Sequence, residues 1–290
     1  MGRYEFKPFF NPVLSEWVVT DILNGLKNGL SSLTISLDLG ISRAELKLSG
    51  GKVRIGDLTL SAADLKRALK LARNGALIEL AEGKLVKLAF YSNGKYYKLK
   101  AIAPYEAPTL EINGIHMHRI EGITPFKDSE LKVKALGVRK GWRVLDICTG
   151  LGYTAIISLR RGAKVISVEK DLNVLEIARH NPWSRDLSKV EILLGDATEV
   201  VRELEDDCFE AVLLDPPRYS LAPELYASSF YRELFRVLKP GGKLFHYTGE
   251  PGSRSRGIDL AGSVLKRLKG VGFRARRVSE LRGVIAMKGR

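Results

Sequence analysis

The sequence predicts an α/β fold in which a doubly wound, mostly parallel sheet follows a smaller, mainly β N-terminal domain. From Asp128 onward, short apolar runs alternate with helical patterns, which is typical of a parallel sheet with helices on both faces. Before about residue 120, apolar residues instead recur at every second position in several short runs. We therefore expect an N-terminal α+β domain over residues 1–120 and a second, doubly wound domain over 121–290.

Two helices are predicted in the N-terminal domain. Apolar residues follow helical spacing between positions 12 and 30. Ser61 is expected to cap a second helix that runs to Ala72, with Asp64 as an acidic capping-box residue. The remaining runs have the pattern of strands: SLTISLDLG, AELKLSG, KVRIG, ALIEL, KLVKLAFY, KYYKLKAI and TLEING.

The second domain is predicted to contribute seven strands to its sheet. They are expected over residues 142–146, 164–168, 190–194, 211–214, 243–247, 273–278 and 283–287. Helices are expected to begin near Gly152, Asp171, Thr198, Ala222 and Ile258. Only residues 279–282 separate the last two strands, so these strands should form an antiparallel hairpin.

The charge balance is strongly basic. Lys and Arg number 47 against 33 for Asp and Glu, and the net charge is +14. Such an excess favours a polyanionic partner, of which nucleic acid is the commonest. Alternatively, the basic excess reflects only the Lys- and Arg-rich surface of a thermophilic protein. Glutamine is absent and methionine occurs three times, a composition that fits a hyperthermophile, which we take to be archaeal.

The cysteines and the hydropathy pattern indicate whether disulfides, a metal site or a membrane span are expected, and in which compartment the protein is expected. Cys148 and Cys208 have no CxxC partner, so neither a disulfide nor a metal site is expected, and a reducing cytoplasm is the expected location. No apolar stretch approaches the roughly 20 residues that a membrane span requires. The first ten residues, MGRYEFKPFF, lack the apolar core of a signal peptide.

Residues 144–155, VLDICTGLGYTA, form the most informative segment. A buried strand leads through a glycine turn into a helix. Gly150 and Gly152 allow a tight turn and a close backbone approach to a ligand. On its own the segment is ambiguous, because Gly150-x-Gly152-x-x-Ala155 also fits a dinucleotide-binding fingerprint or a turn that binds nothing.

Carboxylates at the ends of the following strands resolve the ambiguity. Glu169 ends the second strand, Asp196 the third and Asp215 the fourth, and with Asp146 all four open onto one crevice. A single one could be a helix N-cap, as Asp196 could be. Together they resemble motifs I to IV of class I S-adenosylmethionine-dependent methyltransferases, and the resemblance covers about residues 124–290.

The resemblance implies a role for each of these positions. Asp146 and the turn that follows it would hold the amino-acid portion of S-adenosylmethionine. Glu169 would bind the ribose, and Asp196 with the Ala197 N–H would bind the adenine. Residues 123–127, about 20 positions upstream, match a cofactor-covering segment only loosely. The cofactor-binding positions implied are Asp146, Thr149, Gly150, Gly152, Tyr153, Thr154, Glu169, Lys170, Asp196 and Ala197.

The fourth motif, Asp215-Pro216-Pro217-Arg218, bears on the methyl acceptor. It resembles the D/N-P-P-aromatic motif of enzymes that methylate exocyclic base amines. Asp215 and the Pro216 carbonyl could accept from both amine N–H groups, while Pro217 helps to stiffen the loop. The chain departs from the motif because Arg218 stands where relatives have an aromatic ring. Either Arg218 or Tyr219 could stack on the base.

Other chemistries lack residues that they need. Pyrimidine C5 methylation requires a nucleophilic thiol near the fourth motif, and neither cysteine is well placed. Ribose 2′-O methylation commonly uses a Lys-Asp-Lys-Glu set, but the fifth strand ends in His246-Tyr247. An aminopropyltransferase would call for an acidic pocket and a motif nearer GGGDG than CTGLG. An RNA chaperone without catalysis would not need the Asp-Pro-Pro sequence.

The substrate predicted is therefore RNA, with the target base flipped or unpaired. Ribosomal RNA is favoured over tRNA because no tRNA-binding module is recognisable, and cytosine N4 is favoured over guanine N2 and adenine N6. Tyrosines and lysines interleave over residues 91–100, a pattern that suits RNA but also an ordinary half-buried strand. Arg254 and Arg256 lie in a basic segment after the fifth strand and are further substrate candidates.

Overall fold

A computed structural model describes residues 2–249 and 259–289 of the protein. The strands are β1 (Gly2–Tyr4), β2 (Val13–Leu14), β3 (Ser32–Ile35), β4 (Ala44–Ser49), β5 (Lys52–Ile55), β6 (Leu58–Ser61), β7 (Ile78–Ala81), β8 (Lys84–Lys87), β9 (Ala89–Ser92), β10 (Lys95–Lys100), β11 (Thr109–Ile112), β12 (Ile115–His116), β13 (Arg143–Ile147), β14 (Lys164–Glu169), β15 (Glu191–Leu194), β16 (Phe209–Leu214), β17 (Leu238–Tyr247), β18 (Arg274–Val278) and β19 (Gly283–Met287).

The helices occur where they were predicted, except that no helix was predicted over Pro125–Leu136. The α-helices are α1 (Glu16–Lys27), α2 (Ala62–Leu71), α3 (Pro125–Leu136), α4 (Tyr153–Arg160), α5 (Leu172–Ala178), α6 (Ala197–Val200), α7 (Ser228–Val237) and α8 (Leu260–Val271). Short 3-10 helices cover Arg73–Gly75, Pro182–Lys189, Val201–Glu203, Pro223–Tyr226 and Ser279–Leu281. Over the residues that the structure describes, no helix is long and apolar enough to cross a membrane.

The chain divides into two compact units. The sheet unit comprises residues 1–6, 126–172 and 186–290, and the N-terminal unit comprises residues 7–125 and 173–185. The units are thus not simple halves of the sequence, since each contains a segment from the other side of the predicted boundary. The predicted assignment of a substrate-binding domain to residues 1–120 and a catalytic domain to 121–290 stays a prediction.

The sheet unit confirms the predicted doubly wound fold. Its strand order is β1-β15-β14-β13-β16-β17-β19-β18. Strands β13 to β17 are parallel to one another, and β18 and β19 form the predicted antiparallel hairpin. The predicted count of seven strands was one too few. The eighth, β1, pairs antiparallel with β15 from Gly2↔Leu194 to Tyr4↔Ile192, and three residues carry no alternation by which the sequence could reveal it.

Burial on both faces explains the composition of the central strands. Every residue of β16 after Glu210 is buried, as expected of a parallel strand covered by helices on both sides. The core between this strand and helices α7 and α8 contains Phe209, Phe230, Leu234 and Leu268, among others. This packing fixes the strand ends from which the candidate site is built.

The N-terminal unit has three small sheets and the helices α1 and α2, and it also contains most of α5. The sheet orders are β12-β11-β10-β9, β2-β7-β8 and β3-β4-β5-β6. Ser15 caps α1, and the predicted capping box between Ser61 and Asp64 begins α2. Hydrogen bonds from the backbone and hydroxyl of Ser61 hold the pKa of Asp64 at about 2.

The interleaved tyrosines and lysines of β10 are largely committed to this unit. Tyr97 and Leu99 are fully buried, as expected for the inner face of a strand. Lys98 is only 8% exposed, and its ammonium lies 2.5 Å from Glu111, which also binds Lys100 at 3.0 Å. Both ammonium groups are therefore held by Glu111 within the unit and are poorly placed for phosphate binding.

Candidate active site

Four carboxylates lie at the carboxyl edge of neighbouring parallel strands in the sheet unit. Asp146 is the penultimate residue of β13, and Glu169 is the last residue of β14. Asp196 follows β15, and Asp215 directly follows β16. Because these four strands are adjacent and parallel, their carboxyl ends meet at one edge, where open α/β sheets bind their ligands.

The turn after β13 depends on left-handed backbone conformations. Gly150 has φ +55° and Gly152 has φ +76°, and Cys148 also has a positive φ of 69°. A Cβ on Gly152 would lie 2.4 Å from the side chain of Leu187, so close packing requires glycine there. At Gly150 the nearest atom to such a Cβ is 4.0 Å away, so the space over this residue is open. Only Gly150 therefore leaves room for a ligand against the backbone.

Asp146 lies beneath this turn in a buried hydrogen-bond network. Its carboxylate accepts from Thr154 at 2.6 Å and from Ser167 at 2.7 Å, and Ser167 is also 2.7 Å from the Thr149 hydroxyl. Burial raises the pKa of Asp146 to about 7 despite these hydrogen bonds. The network connects β13 to the turn, to the start of α4 and to β14. The Asp146 side chain is only 1% exposed.

Glu169 is bound mainly by backbone groups. Its Oε2 accepts from the Gly150 N–H, and its Oε1 accepts from the N–H groups of Lys170 and Asp171, each at 3.0 Å. Burial raises the pKa of Glu169 above its ordinary value, although these donors oppose the shift. The carboxylate therefore connects the glycine turn to the end of the neighbouring strand.

Asp196 caps the short helix α6 and remains partly exposed. Its Oδ1 accepts from the backbone and hydroxyl of Thr198 at 2.8 and 2.7 Å. Burial would raise the pKa of Asp196, but the Thr198 hydrogen bonds outweigh it and the pKa is lowered. The Lys170 ammonium lies 3.9 Å from Asp196 and 3.5 Å from Glu224, while Ala197 is buried.

A buried lysine accompanies the fourth carboxylate. Lys132 Nζ on α3 lies 2.7 Å from Asp215 Oδ2 and 2.8 Å from Asp128 Oδ2. It also lies 4.1 Å from the centre of the Tyr247 ring. Burial would lower the pKa of Lys132, but the two carboxylates raise it above its ordinary value. The ammonium thus stays charged beside Asp215.

The loop after Asp215 is held by an aromatic cluster. The Tyr226 hydroxyl donates to the Pro217 carbonyl at 2.9 Å, and its ring lies 4.8 Å from the His246 ring. The Tyr219 ring makes a T-shaped contact with Tyr226 at 5.3 Å. His246 is fully buried, and burial lowers its pKa to about 3. Proline stiffness and this hydroxyl together fix the loop.

The predicted substrate residues differ in their surroundings. Pro216 is buried, whereas Arg218 and Tyr219 are exposed. Arg254 and Arg256 lie outside the described residues. Tyr153, predicted at the cofactor, is buried with its ring in a T-shaped contact with Phe126.

Sequence reasoning missed Lys132 and Tyr226. An acidic residue four positions before a lysine is a helix signal, and Asp128 with Lys132 fits it. That pattern normally marks a solvent-exposed pair, and nothing in it shows that the lysine reaches Asp215. Tyr226 carries no local signal, because its role depends on where a 3-10 helix returns to the loop.

Comparison with known proteins identifies the class. A family model described as "Methyltransferase domain" matches residues 144–242, which contain the turn and all four carboxylates. An uncharacterized protein of Methanocaldococcus jannaschii is 44% identical over 280 residues, covering 94% of each chain. This chain belongs to the class I S-adenosylmethionine-dependent methyltransferases. Within them it belongs to the same family as that archaeal protein, and its cofactor is S-adenosylmethionine.

More distant relatives share only parts of the molecule. The tRNA (uracil(54)-C(5))-methyltransferase of Pyrococcus horikoshii is 32% identical over 111 residues, which are 38% of this chain and 26% of that enzyme. A spermidine synthase in complex with the transition-state analogue AdoDATO matches with a TM-score of 0.56 and 20% identity over 69% of this chain and 73% of the other. Spermidine synthase from Thermotoga maritima gives 0.53 and 18%, covering 69% and 71%. These two likenesses show the fold alone.

Proposed function

We propose that the protein transfers a methyl group to an exocyclic base amine of RNA. Ribosomal RNA is the favoured substrate and cytosine N4 the favoured amine. The proposal rests on the hydrogen bonding of the two Asp215 carboxylate oxygens. Its Oδ2 is bound by Lys132, whereas Oδ1 makes no hydrogen bond or ion pair with any described residue. The carboxylate is thus fixed in orientation and keeps one oxygen available for a substrate N–H.

The chemistry of an aromatic amine explains why such an oxygen is needed. The nitrogen lone pair is delocalised into the ring, so the amine is a poor nucleophile. Asp215 Oδ1 and the Pro216 carbonyl would accept one N–H each, which favours a tetrahedral nitrogen with its lone pair directed at the methyl donor. Asp215 would also stabilise the positive charge that develops on the nitrogen and receive the proton that it releases.

The cofactor fits the residues at this edge of the sheet. S-adenosylmethionine supplies an electrophilic methyl group on a sulfonium. The open space over Gly150 allows its amino-acid portion to approach the backbone, and the partly exposed Asp196 is suited to the adenine amine. Glu169 would bind the ribose hydroxyls. Asp146, which is only 1% exposed, would act by holding the turn in shape through its bonds to Thr154 and Ser167.

The flipped base needs a flat partner. Tyr219 is 42% exposed, and the T-shaped contact with Tyr226 fixes it beside the Asp-Pro-Pro loop. We therefore favour Tyr219 over Arg218 as the stacking residue, with Arg218 contacting phosphate.

Charge and relatives support RNA as the substrate. The net charge of +14 suits a polyanion, and the Pyrococcus relative is named for a tRNA. Its C5 chemistry does not fit this chain. That reaction needs a thiolate, and burial raises the pKa of Cys148 well above its ordinary value, while Cys208 is buried in the core.

Ribose 2′-O methylation is a second candidate for one reason. Lys132 and Asp215 form the first lysine–aspartate pair of the Lys-Asp-Lys-Glu set that such enzymes commonly use. The second lysine is missing, because β17 ends with His246 and Tyr247. The nucleoside that takes up the methyl group separates this reaction from base methylation.

The test is methylation of total RNA from a strain that lacks the gene, with labelled S-adenosylmethionine and mass spectrometry of the digested nucleosides. We expect labelled N4-methylcytidine, lost in Asp215→Ala. Asp207→Ala removes an exposed carboxylate that pairs with Lys288 and should retain the activity. Label in a ribose would favour 2′-O transfer. No label in RNA, together with transfer from decarboxylated S-adenosylmethionine to a polyamine, would show that RNA is not the substrate.

A further inference from the structure

A basic groove lies between helices α7 and α8 of the sheet unit. Its volume is about 490 Å³, within the roughly 300–1,000 Å³ typical of ligand clefts. The side chains that line it bring three cations and two hydroxyls together, and they include no carboxylate: Ser228, Arg232, Ser263, Lys266 and Arg267.

The three cations of the groove have no counter-ion within the described part of the chain. Among the residues that the structure describes, none of Arg232, Lys266 and Arg267 forms an ion pair. By contrast, Arg236 on the same α7 helix pairs with Asp206 and Glu233. Like charges that line one groove without partners repel each other, so folding alone does not explain their arrangement.

Tyr226 connects the groove to the Asp-Pro-Pro loop. Arg267 Nη1 donates to the Tyr226 carbonyl at 3.0 Å. The hydroxyl of the same tyrosine donates to the Pro217 carbonyl at 2.9 Å. A chain bound in the groove would therefore lie beside the residues that hold the acceptor loop.

We propose that this groove binds the phosphodiester backbone of the RNA next to the target nucleotide. The inference rests on the proposed function. Arg and Lys neutralise phosphates and release counter-ions, and Ser228 and Ser263 offer hydroxyl donors to phosphate oxygens. Contacts of this kind carry no sequence information but set the register of the strand, which places one base at Asp215. Arg232 and Lys266 are exposed, so both reach a ligand without rearrangement of the fold.

The test compares Arg232→Gln/Lys266→Gln with a matched double variant. Lys140→Gln/Lys164→Gln removes two exposed charges at the amino-terminal edge of the strands, away from the candidate site. RNA affinity is measured by fluorescence anisotropy over a salt series, with total ribosomal RNA fragments as the probe. Each lost phosphate contact should reduce the slope of log affinity against log salt by about 0.7–0.9.

We expect the groove variant to lose about 1.4–1.8 from this slope and to raise KM for RNA, with kcat at saturating RNA and S-adenosylmethionine affinity unchanged. The control variant should behave like the wild type. Equal slopes and equal KM in both variants would overturn the proposal that the groove binds RNA, while the proposed function would stand. If wild-type protein neither binds nor methylates RNA, the proposed function fails and the groove inference fails with it.

Discussion

The buried Lys132 forms an ion pair with the partly exposed Asp215, with Nζ 2.7 Å from Oδ2, although 83 positions separate the two residues in the sequence. Asp128 binds the same ammonium from the preceding turn of α3. A lysine that is 3% exposed needs such partners, because an isolated charge in this position would be strongly disfavoured. The pair therefore links a helix that precedes the glycine motif to the residue that we place at the acceptor nitrogen.

Replacing Lys132 should destabilise the protein. Lys132→Met leaves two carboxylates without their counter-charge, and we expect the free energy of unfolding in urea to fall by about 3–5 kcal/mol. Asp128→Asn/Lys132→Met should recover part of that loss, because one of the two charges is gone. An unfolding free energy for Lys132→Met within 1 kcal/mol of wild type would contradict the proposed electrostatic role.

The two glycines of the turn should respond differently to alanine. Gly152→Ala places a methyl group against Leu187 and should lower the melting temperature by several degrees, partly restored by Leu187→Ala. Gly150→Ala meets open space, so stability should fall only by about 1–2 kcal/mol for its positive φ. Its main effect should be weaker S-adenosylmethionine binding, measured by calorimetry. Equal loss of cofactor affinity with equal destabilisation in both variants would speak against a cofactor-binding role for Gly150.

Local patterns predicted much of the fold. The Ser61–Asp64 capping box and the β18–β19 hairpin depend on residues close in sequence, and both are present. Alternation of strands and helices predicted the sheet, because parallel strands buried on both faces are uniformly apolar. Strand β1 escaped prediction since its pairing with β15 spans nearly two hundred residues and its three residues have no pattern.

The site was predictable only where the chain order of strands places residues together. Carboxylates at consecutive strand ends meet at one edge whatever the rest of the molecule does. Lys132 and Tyr226 reach the site through the packing of helices on the sheet, and no spacing in the sequence encodes that packing. Lys98 shows the same limit in the N-terminal unit. The alternation of its strand made it a candidate for RNA binding, but it does not show that Glu111 pairs with it.

Removing the Tyr226 hydroxyl should show whether this residue positions the Asp-Pro-Pro loop without affecting cofactor binding. Tyr226→Phe keeps the ring beside His246 but loses the hydrogen bond to the Pro217 carbonyl, with an expected cost in stability of about 1 kcal/mol. Because we propose that this loop carries the acceptor groups, we expect kcat to fall about tenfold or more while cofactor affinity stays constant. Tyr231→Phe, which loses a hydrogen bond to His246 but none to the Asp-Pro-Pro loop, is the matched control. Equal kcat in the two variants would exclude a positioning role for Tyr226.

The buried carboxylate of Asp146 should make stability depend on pH. Its pKa is 3.8 in the unfolded chain and about 7 in the folded protein, where burial disfavours the charged form. Between these values the folded state holds the proton more tightly, so raising the pH from about 4 to about 7 destabilises the protein by ~4 kcal/mol through this group. Asp146→Asn lacks the titration. Its unfolding free energy in urea, subtracted from that of wild type at each pH, should therefore give a difference that falls through this window and is constant above pH 8. A difference that does not change with pH would show that Asp146 is ionised in the folded protein throughout the window.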